Sequence, residues 1–504
     1  MSIHVKSLTA LAVAAALTSV HAPAHAGDAL TIYSNARAGA IAPELYRQGG
    51  RGQIPGYAMV RHEREIELAR GRNTVRFADV AALIDPTTVT FESLTDAAGT
   101  SVIEQNFQFD LVSTQKLLQK YVDRAISVDQ VRGSGVESFD GTLLSTEGGI
   151  TLRRGDGSIQ TLPHNAGVRL PQLPGGLITR PTLVWDVSAS RPGAHKTRVS
   201  YQASGITWWA DYNVSYSEGR SANACHLDVG AWVSIINQSG ASYTDAKLKL
   251  VAGDVQRVAP MGRVLPQALE VARAAAAGDR AAGFEEKAFF EYHLYTLGRP
   301  TTLPDHSTKQ IELFPVARRV PCEKTLVYYG ALPAYGFGPS PAIDRNYGVA
   351  TNRKVDVYLG FKNTKANNVG MPLPAGRIRV NKQDAADGTL EFIGEDKIDH
   401  TPQDEKVQIK LGSAFDVVGE RKQLNFTVDT SRKNMTEEIE VRLRNHKKEA
   451  VTVIIKENLY RWVNWQITSK THDFEKHDAR TVHFPVKIAA GGEATVRYTV
   501  HYSW

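Results

Sequence analysis

Two short runs in this chain carry residue types that do chemistry. Ser113-Thr114-Gln115-Lys116 has the S-x-x-K spacing, which on a helix sets an amine one turn from a hydroxyl and can activate it as a nucleophile. Enzymes that use this pair accompany it with S-D-N and K-T-G elements, and neither occurs here. The second run is His472-Asp473-Phe474-Glu475-Lys476-His477, with His483 downstream. It gathers imidazoles and carboxylates of ligand type, which bind a metal only if they converge on one ion. Its position between Trp465-Gln466-Ile467 and Val482-His483-Phe484 predicts a polar hairpin loop instead. His472, Asp473, Glu475 and His477 are therefore the seeds of an alternative reading, a hydrolase whose site is assembled from distant loops. The chain has no H-E-x-x-H, no G-x-S-x-G elbow, no Gly-rich phosphate loop and no dinucleotide fingerprint. This inventory predicts no cofactor and no metal, and it favours a non-enzymatic protein.

Trp208-Trp209-Ala210-Asp211-Tyr212 is the densest aromatic cluster. Aromatic faces beside a carboxylate can stack on sugars, which makes Trp208, Trp209 and Tyr212 a candidate carbohydrate-binding surface. The competing reading is a core strand with one Trp inward and one outward. Phe289-Phe290-Glu291-Tyr292-His293-Leu294-Tyr295 poses the same choice. The two cysteines, Cys225 and Cys322, are either a disulfide or two buried thiols. A bridge would close 97 residues, worth roughly 4–5 kcal/mol in the chain-entropy model.

The elements that must position these residues are mostly strands. Val496, Tyr498, Val500, Tyr502 and Trp504 alternate with polar residues, as do Leu227-Val229-Ala231-Val233-Ile235, Val407-Ile409-Leu411 and Ile439-Val441-Leu443. Period two with one apolar face is the pattern of half-buried antiparallel strands. Asp156-Gly157 and Asp387-Gly388 sit between such runs as hairpin turns. Helical patterning is confined to Asp110–Ile126 and to an Ala-rich stretch, Leu265–Lys287, without a broad apolar face. The terminal Trp504, Tyr502 and Tyr498 are of the kind that closes outer-membrane barrels, but the uneven strand spacing argues against one.

The predicted fold is mainly β: multidomain antiparallel β-sandwich units with one short helix and an Ala-rich helical insertion. The expected boundaries are a signal peptide at 1–26, an N-terminal β domain at 27–110 and a connecting helix at 111–128. A small β unit at 129–180 and a large β region at 181–504 follow, the latter interrupted by a linker at 260–288.

With 504 residues, 42% of them hydrophobic and 22% charged, the chain is long enough for about three domains. Lys6, the apolar run Leu8–Val20 and Ala24-His25-Ala26 make a secretory signal, too short for a membrane span. The mature protein would begin near Gly27 and be exported, periplasmic or associated with the outer surface. Removing Lys6 lowers the formal charge from its full-chain value of +6 by one unit, too mild for the concentrated basic stripe of a nucleic-acid binder. The densest basic run, Arg442–Lys448, is of the size of a solvated turn. The expected partner is an envelope protein or polysaccharide, with no nucleic acid and no transmembrane helix in the mature chain.

Several segments together resemble the bacterial DUF4139 family, exported proteins that include the mucoidy inhibitor A-like group. They are Trp208–Tyr212, Ile236–Gly240 with Tyr243–Leu248, Glu291–Tyr295, Lys309–Ile311, Pro374–Val380 and Phe392–Asp396. The likeness runs over roughly 200–504, and Arg61–Phe77 with Ile84–Val89 is similar to the domain that often precedes it. Mucoidy-type relatives often carry a long coiled coil between the two parts, and this chain has only the short helix. The resemblance implies envelope or exopolysaccharide physiology and supplies no catalytic residue.

Overall fold

The computed structural model describes residues 27–33, 54–132, 135–163, 167–253, 255, 284–331, 339–349 and 351–504. The expected signal peptide at 1–26 and most of the expected linker at 260–288 lie outside them. The described chain is mainly β, with one α-helix and sheets of eight, five, three and thirteen strands. Pairing is mostly antiparallel. Three parallel ladders break the rule: Asp28–Tyr33 with Tyr243–Ala252, Ile206–Glu218 with Gly376–Gln383, and Ser307–Tyr329 with Val451–Asn458. No helix among the described residues is long and apolar enough to cross a membrane.

The N-terminal body is not the contiguous run 27–110. Asp28–Tyr33 is sandwiched between Tyr57–Leu68 and Tyr243–Ala252, and Tyr57–Leu68 pairs in turn with Gly193–Ser204. Thr182–Ala189 forms the middle of a three-stranded sheet between Gly71–Ala78 and Thr100–Gln108. The boundaries expected at 110 and 181 therefore cut through sheets. Buried Trp185 packs on Phe77 and Phe91, with ring centroids 5.6 and 5.1 Å apart, and joins the two layers. In the same core His62 bridges the carboxylate of Asp28, 2.6 Å away, and the Tyr201 hydroxyl, 2.9 Å away.

The connecting helix is shorter than the expected 111–128. It spans Thr114–Lys120, and a strand begins at Ala125. Asp123 takes a left-handed φ of 66°, and the β-branched Ile126 and Val128 then turn into the core of the small unit. That unit is a five-stranded sheet in the order Gly167–Arg169, Ala125–Arg132, Gly135–Ser145, Ile150–Arg153 and Ile159–Leu162. Gly157, at φ +85°, makes the turn between its last two strands. The C-terminal end of the expected linker is likewise a strand: Phe284–Phe289 forms a hairpin with Tyr292–Leu297. Phe289 and Phe290 at its tip are exposed, whereas Leu294 and Tyr295 are core.

The thirteen-stranded sheet curls into two bodies. Ile206–Glu218, Ala224–Asn237, Ser307–Tyr329, Lys354–Lys362, the start of Lys406–Asp429, Gly376–Gln383 and Leu390–Ile398 form the first, a barrel-like curl. It closes where the Lys410 backbone N–H donates to the Asp396 carboxylate at 2.6 Å. Inside it Cys225 stands opposite Cys322 in the ladder, Cα atoms 4.8 Å apart, and the two are disulfide-bonded. The second body is a sandwich with its own core around Val441, Val453, Phe484 and Tyr498. The 23-residue strand Ser307–Tyr329 and the 24-residue strand Lys406–Asp429 run through both bodies.

Two ion pairs lie inside the sandwich. Arg421 bonds Glu457 at 3.0 Å, and Tyr498 donates to the same carboxylate at 2.6 Å. Arg461 pairs with Glu437 and donates to the carbonyls of Ala342, Asp344 and Tyr347, which fastens that loop to the sandwich.

Candidate functional site

The residues singled out for chemistry are placed apart from it. Ser113 is the helix N-cap, its hydroxyl accepting the Lys116 backbone N–H at 3.3 Å. The Lys116 ammonium pairs with Asp110 at 2.9 Å, so it does not activate the hydroxyl. In the 472–483 segment Asp473 is 99% exposed and held by Lys470, which keeps its carboxyl below the usual range. His472 bonds the neighbouring Thr471 hydroxyl, and Glu475 and Lys476 form a short strand against His483 and Val482. The His477 ring stacks on His483 at 4.4 Å. Burial, with Lys456 and His477 nearby, lowers the His483 pKa. Among the described residues no three His, Cys, Asp or Glu side chains are grouped to hold a metal.

Of the two readings of Trp208, Trp209 and Tyr212, a carbohydrate-binding face or a core strand, burial selects the core strand. All three are buried. Trp208 and Tyr212 point into the core, where Tyr212 donates to the Pro374 carbonyl at 2.7 Å. Trp209 points the other way but is covered by Ile54 and Ile236. A strand covered on both faces shows no alternation in burial, and Ile206–Tyr212 is buried at every position.

The polar residue inside that motif is different. Asp211 sits at the lip of the Trp209 cluster, its Oδ2 accepting from the Trp209 indole at 2.7 Å and the Ser234 hydroxyl at 3.0 Å. The parallel ladder sets Asp211 opposite Arg377, and the antiparallel ladder sets it opposite Trp232. Arg377 and Arg379 approach Asp211 Oδ1 at 3.5 and 3.7 Å. At that separation they attract it without hydrogen-bonding, and both Oδ1 and Arg377 Nε are buried with no hydrogen-bond partner. Continuing outward, Lys397 lies opposite Arg377 and Glu312 opposite Trp232.

The result is a stripe across the outer face of the barrel, Lys397–Arg377–Asp211–Trp232–Glu312. Cross-strand partners share a face, so the ladder alone brings these charges into line. Trp232 is 39% exposed. The stripe joins the segments Trp208–Tyr212 and Pro374–Val380. Sequence reading singled out the first for the wrong side chains and missed Trp232, whose one signal was its polar-phase position in the alternation of Leu227–Ile235.

No protein-family model matches the chain, and no curated protein or solved structure is similar to it.

Proposed function

We propose that this chain is an exported cell-envelope protein of the DUF4139-like kind that works by binding, without catalysis, and that polysaccharide is what it binds. One observation supports the reading above others: an accessible indole, Trp232, set in line with Arg377 and Asp211 on a rigid strand face. An indole offers a flat apolar surface to a sugar ring, and flanking guanidinium and carboxylate groups offer hydrogen bonds to its hydroxyls. The exposed Glu312 carboxylate lies on the other side of the indole. A platform built on strands needs little ordering when a ligand arrives. The disulfide between Cys225 and Cys322 suits an oxidising compartment and hence export.

The test is binding of purified bacterial exopolysaccharide and peptidoglycan fragments to the mature protein, with acrylamide quenching of Trp emission as one readout. Ligand should shield an accessible Trp from quencher, and Trp232→Ala should abolish that shielding and the binding together. Turnover of either material that disappears in Asp211→Asn would replace this reading with an enzyme. Binding indifferent to Trp232→Ala would move the site elsewhere.

A further inference from the structure

Trp232 has a carboxylate on each side, and the two differ in what holds them. Asp211 and Glu312 are its direct cross-strand partners in the two ladders of Ala224–Asn237. The Asp211 side chain is 9% exposed and engaged within the protein: Oδ2 accepts from Trp209 and Ser234, and Oδ1 faces Arg377 and Arg379. Arg379 also reaches Glu395, at 3.5 Å. Glu312 is exposed, and among the described residues no side chain bonds or pairs with its carboxylate. The indole therefore stands between a neutralised carboxylate and a free one.

The backbone departs from regular pairing at this point. From Trp232 opposite Glu312 to Asn237 opposite Ser307 the ladder is even, whereas three register shifts follow one another over Leu227–Trp232. Leu313, the residue after Glu312, has no partner opposite and is taken into the core. Bulges bend a strand and re-aim the side chains beside them, and they are concentrated next to active sites. Exposed Val316 lies against Gly230, its Cγ2 3.4 Å from where a Cβ would stand, and adds apolar surface on the strand face that carries the indole.

Charge decides which sugar suits this face. An acidic sugar laid on the indole meets a carboxylate in either direction along the row, and Glu312 has no cation to offset it. A neutral sugar leaves the Glu312 charge unanswered. A sugar that bears an ammonium group can set its apolar C–H face on Trp232 while the ammonium donates to Glu312. A hydrogen bond between two ionised groups is the stronger kind, and an ammonium over an indole is attracted by the ring as well.

We infer that, granted the glycan binding proposed above, the ligand is a polysaccharide whose amino sugars carry free amines, with Glu312 as the acceptor for their ammonium groups. Trp232 supplies the platform and Glu312 the selectivity.

The experiment titrates the full mature chain with a glucosamine hexasaccharide, its fully N-acetylated counterpart and a galacturonate hexamer. The free-amine oligomer should bind about tenfold or more tighter than the acetylated one, and the galacturonate oligomer weakest of the three. The preference should shrink as salt rises and vanish at alkaline pH, where the ligand's amines lose their protons. Glu312→Gln should bring the free-amine and acetylated affinities together with an unchanged melting profile, because the side chain is exposed and unpaired. Glu312→Asp should restore part of the difference, and Trp232→Ala should abolish binding of both. Equal binding of the two by the parent protein, tighter binding of galacturonate, or a preference that survives Glu312→Gln overturns the inference. So does Trp232-dependent binding of exopolysaccharide with none of the free-amine oligomer; in each of these cases the glycan-binding reading stands. Failure of the oligosaccharides and the exopolysaccharides alike removes both.

Discussion

Replacing Glu457 by Met removes a charge from the C-terminal sandwich at nearly constant volume. Arg421 and Glu457 are both buried, with side-chain exposures of 2% and 0%. Burial alone would depress the arginine, but Glu457, with Tyr498, Tyr460 and Glu437, outweighs it and holds the guanidinium well above its ordinary pKa. Glu457→Met therefore leaves a guanidinium that stays charged in a site with no water to receive it. Breaking a buried pair by removing one partner costs about 3–5 kcal/mol. The Tyr498 hydroxyl loses its acceptor in the same step. At about 2–4 °C per kcal/mol for a body of this size, the sandwich transition should fall by roughly 6–20 °C in calorimetry of the full chain. The triple variant Arg421→Met, Glu457→Met, Tyr498→Phe removes every polar member at once and should recover most of the loss, since the penalty lies in the uncompensated charge. A single variant that melts within 2 °C of the parent (about 1 kcal/mol at most by the same scaling) would refute the reasoning. So would a triple variant less stable than the single one.

Other outcomes follow from the same geometry. The mature protein under non-reducing conditions should weigh about 2 Da less than after reduction, and Cys225→Ser with Cys322→Ser should destabilise it by about 4–5 kcal/mol in denaturant titration; equal masses would show free thiols. Asp211→Ala frees the Trp209 indole and leaves Arg377 and Arg379 facing each other, so urea unfolding should register a loss of about 1–3 kcal/mol, whereas no change would mean the carboxylate is not holding that lip. His483 has a depressed pKa in the fold, so its contribution is complete above the unfolded value near 6.5 and declines as pH falls below it. NMR titration should place its midpoint below that of an exposed histidine, and a midpoint at or above it would reverse the sign. Asp96 is lowered by the Ser190 hydroxyl, Arg191 and the Gly99 amide, so Asp96→Asn should flatten the acid limb of the stability profile below about pH 4; an unaltered limb would show that this carboxyl does not contribute.

Much of the local architecture was legible because one buried face imposes period two. Val496–Tyr502 alternates in burial as its sequence alternates in polarity, and Gly157 and Gly388 take the positive φ that the two Asp-Gly turns require. What local pattern does not encode is which distant strand lies alongside. Arg377 meets Asp211 through a parallel ladder between segments far apart in sequence, and nothing in either segment specifies its partner. The same blindness produced domain boundaries at 110 and 181 that the sheets ignore. Trp209 misled for a related reason: its outer face is covered by Ile54, a residue with no local connection to it. Trp232 carried a single signal, an aromatic at a polar-phase position of the alternating strand Ala224–Asn237.

The parallel pairing of Asp28–Tyr33 with Tyr243–Ala252 also fixes an order of events. A chain emerging from its N-terminus makes this strand first, pairs one side of it with Tyr57–Leu68 in a local hairpin-like contact, and then has to wait. Its other side is filled by a segment roughly 200 residues later, and the Tyr201 hydroxyl that meets His62 is also late. For that interval a hydrophobic strand edge stands open. The earliest strand among the described residues is thus among the last to be completed, and its edge stays open until Ala252 has followed Tyr33 into the folding compartment.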